Sequence, residues 1–255
     1  MLSMKDNKQI YSTVEFDAWA NGEGLVHTEK YLIQKYLNKN LKTLEAGTGG
    51  GRILLEMNAL GFEALYGFDY VPEFIERAKQ RDSSQSIGFE VQDATCLNYE
   101  ESCFAQIIYL QQIISSIEDD GDRLKALKEA YRILKSGGTA LFSFLSFEAR
   151  SRSPLYIPYL MYLRLFRKLS GSNRSIQYLP WLKHQGKVNF SALIDIEPYV
   201  YWYKLQEIYH LLREVGFEVV AVGSDYHIMQ GRMHSSVEGL ANEQIKGMLA
   251  FVCKK

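Results

Sequence analysis

The feature that most restricts this chain is an alternation of short strand-like runs and helix-spaced segments between residues 41 and 146. The runs are Leu41–Glu45, Ala64–Phe68, Ile87–Gln92, Phe104–Leu110 and Thr139–Leu145. Between them lie segments with helix signals: Pro72 at a first turn, Leu124, Leu127, Ala130, Tyr131 and Leu134 at helical spacing, and Gly61 and Gly137-Gly138 as stops. Strands that alternate with helices imply right-handed crossovers and a parallel sheet. The run Phe104–Leu110 is nearly continuous in apolar residues, as a strand covered on both faces must be.

The pattern changes after residue 146. Residues 147–200 are rich in Tyr, Leu and Arg and have no strand–helix rhythm. A helix at Tyr203–Val215, stopped by Gly216, and strands at Phe217–Val222 and Met248–Cys253 resume it. Residues 223–246 read as loop with a short helix, and residues 14–37 as one helix with an irregular apolar face. The expected architecture is a doubly wound, mostly parallel α/β sheet of seven strands with helices on both faces. It comprises an N-terminal helical lid (1–40), a Rossmann-like domain (41–146 and 201–255) and an inserted cap (147–200).

Composition narrows the function classes. Of 255 residues, 47% are hydrophobic and 23% charged, an ordinary globular balance, and the formal charge of −1 gives no footprint for nucleic acid. DNA is excluded as a partner on this ground and RNA disfavoured. Cys96, Cys103 and Cys253 are odd in number and scattered, which fits a reducing compartment and no metal site. The first residues lead into no apolar signal segment, and no stretch is long enough to span a bilayer. A cytoplasmic protein without integral membrane association is expected.

The chemistry concentrates in Leu44-Glu45-Ala46-Gly47-Thr48-Gly49-Gly50-Gly51-Arg52. Residues without Cβ let a ligand approach the backbone, and the helix start that follows offers free N–H groups. A dinucleotide fingerprint begun at Gly47 needs a small residue at position 52, where this chain has Arg52. Asp69 closes the second predicted strand and Asp93 the third. A carboxylate there can accept two hydrogen bonds from a ribose diol or face a base edge.

These residues resemble the class I S-adenosylmethionine-dependent methyltransferases, small-molecule branch. The phrase Arg132-Ile133-Leu134-Lys135-Ser136-Gly137-Gly138 before the fifth strand strengthens the likeness. The resemblance covers about residues 41–146, more weakly 203–254. It implies S-adenosylmethionine as cofactor, with Glu45 and Gly47 on its methionine part and Thr48, Gly49 and Gly51 completing the loop. It further implies Asp69, with neighbouring Tyr70, at the ribose, and Asp93 and Ala94 at the adenine. Leu110 and Gln111 would lie near the sulfonium, and Tyr11 in the lid. The chain departs from many relatives at Phe104-Ala105-Gln106, where they carry an aspartate with a local structural role.

The reagent is already activated, so alignment and exclusion of water are the main demands, and the chain has no compact general-base motif. His184 is the best placed of five histidines because it lies in the insertion. From Ala149 to Ile194 there is no Asp or Glu, while Arg150, Arg152, Arg164, Arg167, Lys168, Arg174, Lys183 and Lys187 occur. One reading is that the aromatic residues of this segment only dock a cap. The sharper one is a cap over a small anionic or partly apolar acceptor, with Arg164, Arg167 and His184 as substrate contacts. A lipid or quinone methyltransferase at a membrane surface, an RNA methyltransferase and a non-catalytic cofactor sensor are the alternatives. The acceptor, the atom methylated and the oligomeric state stay open.

Overall fold

In the computed structural model, residues 11, 13, 15–184 and 187–255 are described. Seven strands form the main sheet: β1 (Thr43–Ala46), β2 (Leu65–Asp69), β3 (Gly88–Val91), β4 (Phe104–Tyr109), β5 (Leu134–Leu145), β10 (Glu218–Ser224) and β11 (Met248–Lys254). Their order is β10-β11-β5-β4-β1-β2-β3. β1 pairs in parallel with both β2 and β4, β2 with β3, and β4 with β5. Only β11 runs against its neighbours, wedged between β5 and β10. The chain leaves β1 outward through β2 and β3, then returns to β4 on the other side. That reversal opens a crevice at the carboxyl ends of β1 and β4.

Two apolar layers explain the unbroken run in β4. Ile107 and Tyr109 pack with α6 (Asp120–Ile133) and α9 (Leu205–Val215), through Leu127, Ala130, Ile208 and Leu212. Ile108 and Leu110 pack on the opposite face with α2 (His27–Tyr36), α3 (Arg52–Ala59) and α4 (Pro72–Arg81), through Ile33, Leu54, Met57 and Ile75. Helix ends follow from local chemistry. Pro72 occupies the first turn of α4, the Asp119 side chain accepts the Asp122 N–H at 3.0 Å, and Gly216 ends α9 at φ +115°. Gln106 is buried and clamps the feet of β1 and β4. Its Nε2 donates to Thr43 Oγ1 (2.7 Å) and Asn38 O (3.0 Å), and its Oε1 accepts from Asn38 N (2.6 Å). The glutamine thus fills a local structural role at the departure noted above.

The single helix expected over 14–37 is two. α1 (Phe16–Asn21) ends where Gly22 turns extended, and α2 starts after Val26, whose N–H bonds Glu29 Oε2 at 2.9 Å. Arg81 fixes the break by donating to Ala20 O, Gly22 O and Gly50 O. The fifth strand begins earlier than Thr139, because Leu134 already pairs with Phe104 directly after α6. Residues 223–246 hold two short helices, α10 (Asp225–Ile228) and α11 (Val237–Ala241).

The insertion contains α7 (Phe147–Ser151), α8 (Ile157–Leu169), a 3-10 turn (Phe190–Ile194) and two small antiparallel pairs. β6 (Tyr178–Pro180) pairs with β9 (Tyr199–Tyr201), and β7 (Lys183–His184) with β8 (Lys187–Val188). It has a core of its own in Leu160, Leu163 and Leu179, packed against Tyr159, Ile176 and Trp202.

Candidate cofactor site

A cleft of about 290 Å³ opens at the crevice, lined from four strand ends at once. Gly47 and Gly49 follow β1, Asp69 and Tyr70 close β2, Gln92 to Thr95 follow β3, and Gln111 and Ile113 follow β4. Tyr11 and Trp19 cover it from the N-terminal side.

The glycines differ in what they do. Gly47 has φ +61°, and a Cβ there would meet Ile113 Cδ1 at 2.2 Å, so the cleft wall requires glycine. At Gly50 a Cβ would lie 2.0 Å from Ala20 O, and its N–H donates to Trp19 O at 3.0 Å. The loop is therefore clasped by α1. Gly51 does not line the cleft. It precedes α3 with φ +79° and packs on Phe89 and Ala78.

Asp69 is buried, and each oxygen takes one backbone N–H at 3.0 Å, Oδ2 from Gly49 and Oδ1 from Val71. The bonds orient the carboxylate into the cleft and tie it to the glycine loop. Asp93 is exposed at the far end, and Thr95 N–H and Oγ1 both donate to its Oδ1 at 2.8 Å. Its Oδ2 takes no part in this turn, and Ala94 lies beside it on the cleft wall.

Glu45 and Thr48 stand one layer behind the lining. Thr48 Oγ1 donates to Glu45 Oε2 at 2.7 Å, and Thr48 N–H to Phe68 O at 3.0 Å. Burial pushes the Glu45 carboxyl up to about 8, against the Thr48 hydrogen bond and the Arg52 charge that lower it. Arg52 clamps Glu29 with Nη1–Oε2 at 2.7 Å and Nη2–Oε1 at 2.6 Å. The Gln111 amide donates to the same Glu29 Oε1. One buried glutamate thus joins α3, α2 and the turn after β4.

Tyr11 hydrogen-bonds Ser116 Oγ at 3.0 Å and packs edge-on against Trp19 and, at 5.6 Å, Trp181 of the insertion. Burial raises its phenol to about 12, so it stays a neutral hydrogen-bonding group. Leu110 sits in the core layer under the sheet and does not line the cleft.

Residues outside the sequence reading complete the lining: Phe68, Phe74, Gln92, Thr95, Ile113, Ser116, Ile117, Glu118 and Asp122. Most had no signal. The wall at Ile113 depends on Gln111 and Gln112 taking φ +57° and +61°, a left-handed pair that glutamines do not announce. No histidine, lysine or cysteine lines the cleft among the described residues.

The expected acceptor contacts fare differently. Arg167 is buried and cannot reach a substrate, because Asp195 holds it through Nε–Oδ2 (2.7 Å) and Nη2–Oδ1 (2.6 Å). Its other N–H groups go to Ser175 O and Tyr178 O, both at 2.7 Å. Arg164 is exposed on α8 and does not line the cleft. The side chain of His184 lies outside the described residues. Away from the cleft, His227, His234 and Glu243 come within 4.8 Å of one another. There Arg232 occupies both Glu243 oxygens, at 3.0 and 2.8 Å, which makes the cluster an ion-pair network tying α10 to the segment after α11.

The fold is Rossmann-like, and its cleft lies against a glycine loop at the crevice of the sheet. Residues 44–142 match the methyltransferase-domain family. The chain is 31% identical over 161 residues to the ubiquinone/menaquinone biosynthesis C-methyltransferase UbiE of a Geobacter species, covering 59% of this chain and 66% of that protein. It is 26% identical over 136 residues to the phosphoethanolamine N-methyltransferase of Plasmodium falciparum, covering 53% and 50%. The chain thus spans about half to two thirds of the length of these curated relatives. A SAM-dependent methyltransferase structure from Methanosarcina mazei shares the fold, with TM-score 0.65 and 19% identity over 88% of this chain and 96% of that one. Residues 44–142 are thus a methyltransferase domain of the S-adenosylmethionine-dependent kind, with S-adenosylmethionine as the cofactor.

Proposed function

We propose that this chain transfers the methyl group of S-adenosylmethionine to a small, anionic or partly apolar acceptor admitted beneath the insertion at 147–200. The observation that carries this is the run of Gly47, Gly49, Asp69, Asp93 and Ala94 along one cleft whose other wall is Tyr11, Gln111 and Ile113. In this reading Asp69 accepts the ribose hydroxyls. Asp93 and Ala94 take the adenine edge. Gly47, with Glu45 behind it, would hold the methionine end, and Gln111 would face the sulfonium region.

When bound, the cofactor supplies a methyl group that needs no further activation. The chain's task is alignment and exclusion of water. Tyr11 and Trp19 close one side, and the Tyr11–Trp181 contact that links that lid to the insertion supports reading the insertion as a cap over the acceptor. With Arg167 spent on Asp195, the aromatic surface around Tyr11 favours the apolar half of the acceptor reading. The named activities of the two curated relatives support testing quinol and phosphorylated-amine acceptors.

The test is release of S-adenosylhomocysteine by the full chain with a panel of quinols, carboxylates and phosphorylated amines. Turnover with one of these classes supports the proposal. Normal binding of S-adenosylhomocysteine with no turnover on any of them favours the cofactor sensor instead.

A further inference from the structure

Helix α8 has two faces at 3.6 residues per turn. Leu160, Leu163 and Arg167 point inward and are buried. On the opposite side Met161, Leu165 and Leu169 are 62, 58 and 79% exposed, and Tyr162 and Pro158 share that side. The apolar surface continues sideways. Tyr162 and Tyr159 donate to the carbonyls of Leu193 and Ala192, which seats the 3-10 turn against the helix. That turn adds Phe190 at 75% exposure, with Leu193 and Ile194 also exposed. On the other flank of α8 stand Arg164 and Lys168, both exposed. No Asp or Glu occurs between Ala149 and Ile194.

An apolar stripe this large on a free surface marks an interaction site. The charge decides the partner. Neither α8 nor the 3-10 turn carries an Asp or Glu that could pair with Arg164 and Lys168 of a second copy. A helix with Leu, Met, Tyr and Phe on one side and Arg and Lys at its flank is built to lie in the interface of an anionic bilayer, side chains in the acyl boundary and cations at the headgroups. We infer that the outer face of α8 and the 3-10 turn docks this protein peripherally on an anionic lipid surface. Among the described residues no helix is long and apolar enough to cross the bilayer, so the contact is a surface one. The inference does not depend on which acceptor the cleft takes.

Flotation of the full chain with phosphatidylcholine vesicles, with and without phosphatidylglycerol, tests it. The protein is expected to float with the anionic vesicles, to be released by high salt, and to stay behind with phosphatidylcholine alone. Met161→Asp with Leu165→Asp should lower the bound fraction about tenfold or more while S-adenosylhomocysteine affinity stays unchanged. If that pair unfolds the chain, Leu169→Asp at the exposed helix end carries the same test. No flotation with anionic vesicles, or flotation undiminished in the folded variants, overturns the inference. So does a shift from dimer to monomer on these substitutions without vesicle binding by the parent, which would assign the face to a second copy.

Discussion

Arg167 and Asp195, on α8 and after the 3-10 turn, form a fork-to-fork ion pair with both side chains almost completely buried. Removing one partner of such a pair leaves an uncompensated buried charge, at a cost of roughly 3–5 kcal/mol. Asp195→Ala should therefore lower the unfolding free energy by about that amount, read by urea denaturation. Arg164→Glu, on the exposed side of the same helix, should change it by less than about 0.5 kcal/mol. Equal effects from the two would remove Arg167 from its structural role.

That pair also marks how far the sequence could be read. An acid-free span ending at Ile194 invited the reading of Arg167 as a substrate cation, yet the neutralising carboxylate is the next residue along. Charge counts along a chain do not record which side chains fold together. The glycine loop, Asp69 and Asp93 were legible because each closes a strand, and strand ends converge at one crevice. The lining from Phe74, Ile113 and Ser116 was not, since it depends on how neighbouring elements pack and on the left-handed pair Gln111-Gln112.

Asp69 should dominate the affinity for the cofactor. Hydrogen bonds to a charged group contribute about 1.5–3 kcal/mol each, and a ribose diol can offer two. Asp69→Ala also frees the N–H groups of Gly49 and Val71 that hold the loop. Calorimetry with S-adenosylhomocysteine should show affinity reduced about a hundredfold or more. Unchanged affinity would sink the ribose assignment.

Glu45 predicts a pH dependence. Burial lifts its carboxyl from 4.5 to about 8, so it is largely protonated in the free site at neutral pH. A ligand with a positive ammonium favours the ionised form. Binding should then release a proton and strengthen as pH rises toward about 8. Stability runs the opposite way. A raised folded value contributes stability fully present below 4.5 and lost as pH rises through about 8. Calorimetry in buffers of different ionisation enthalpy measures the proton, and Glu45→Gln should abolish its release. Persisting release in that variant would assign the proton to another group.

Gly50 tests whether the N-terminal helix is part of the site. A Cβ at this position would lie 2.0 Å from Ala20 O, a backbone atom that cannot swing aside as a side chain would. Gly50→Ala must push α1 outward and stretch the Gly50–Trp19 hydrogen bond. Overpacking of this kind costs about 1–3 kcal/mol. Trp19 and Tyr11 both line the cleft from that side, so the displacement should reach the ligand. Affinity for S-adenosylhomocysteine should fall about tenfold, with quenching of Trp19 fluorescence by acrylamide increased. A Gly50→Ala protein that is less stable yet binds as before would show that α1 supports the fold and leaves the cofactor untouched.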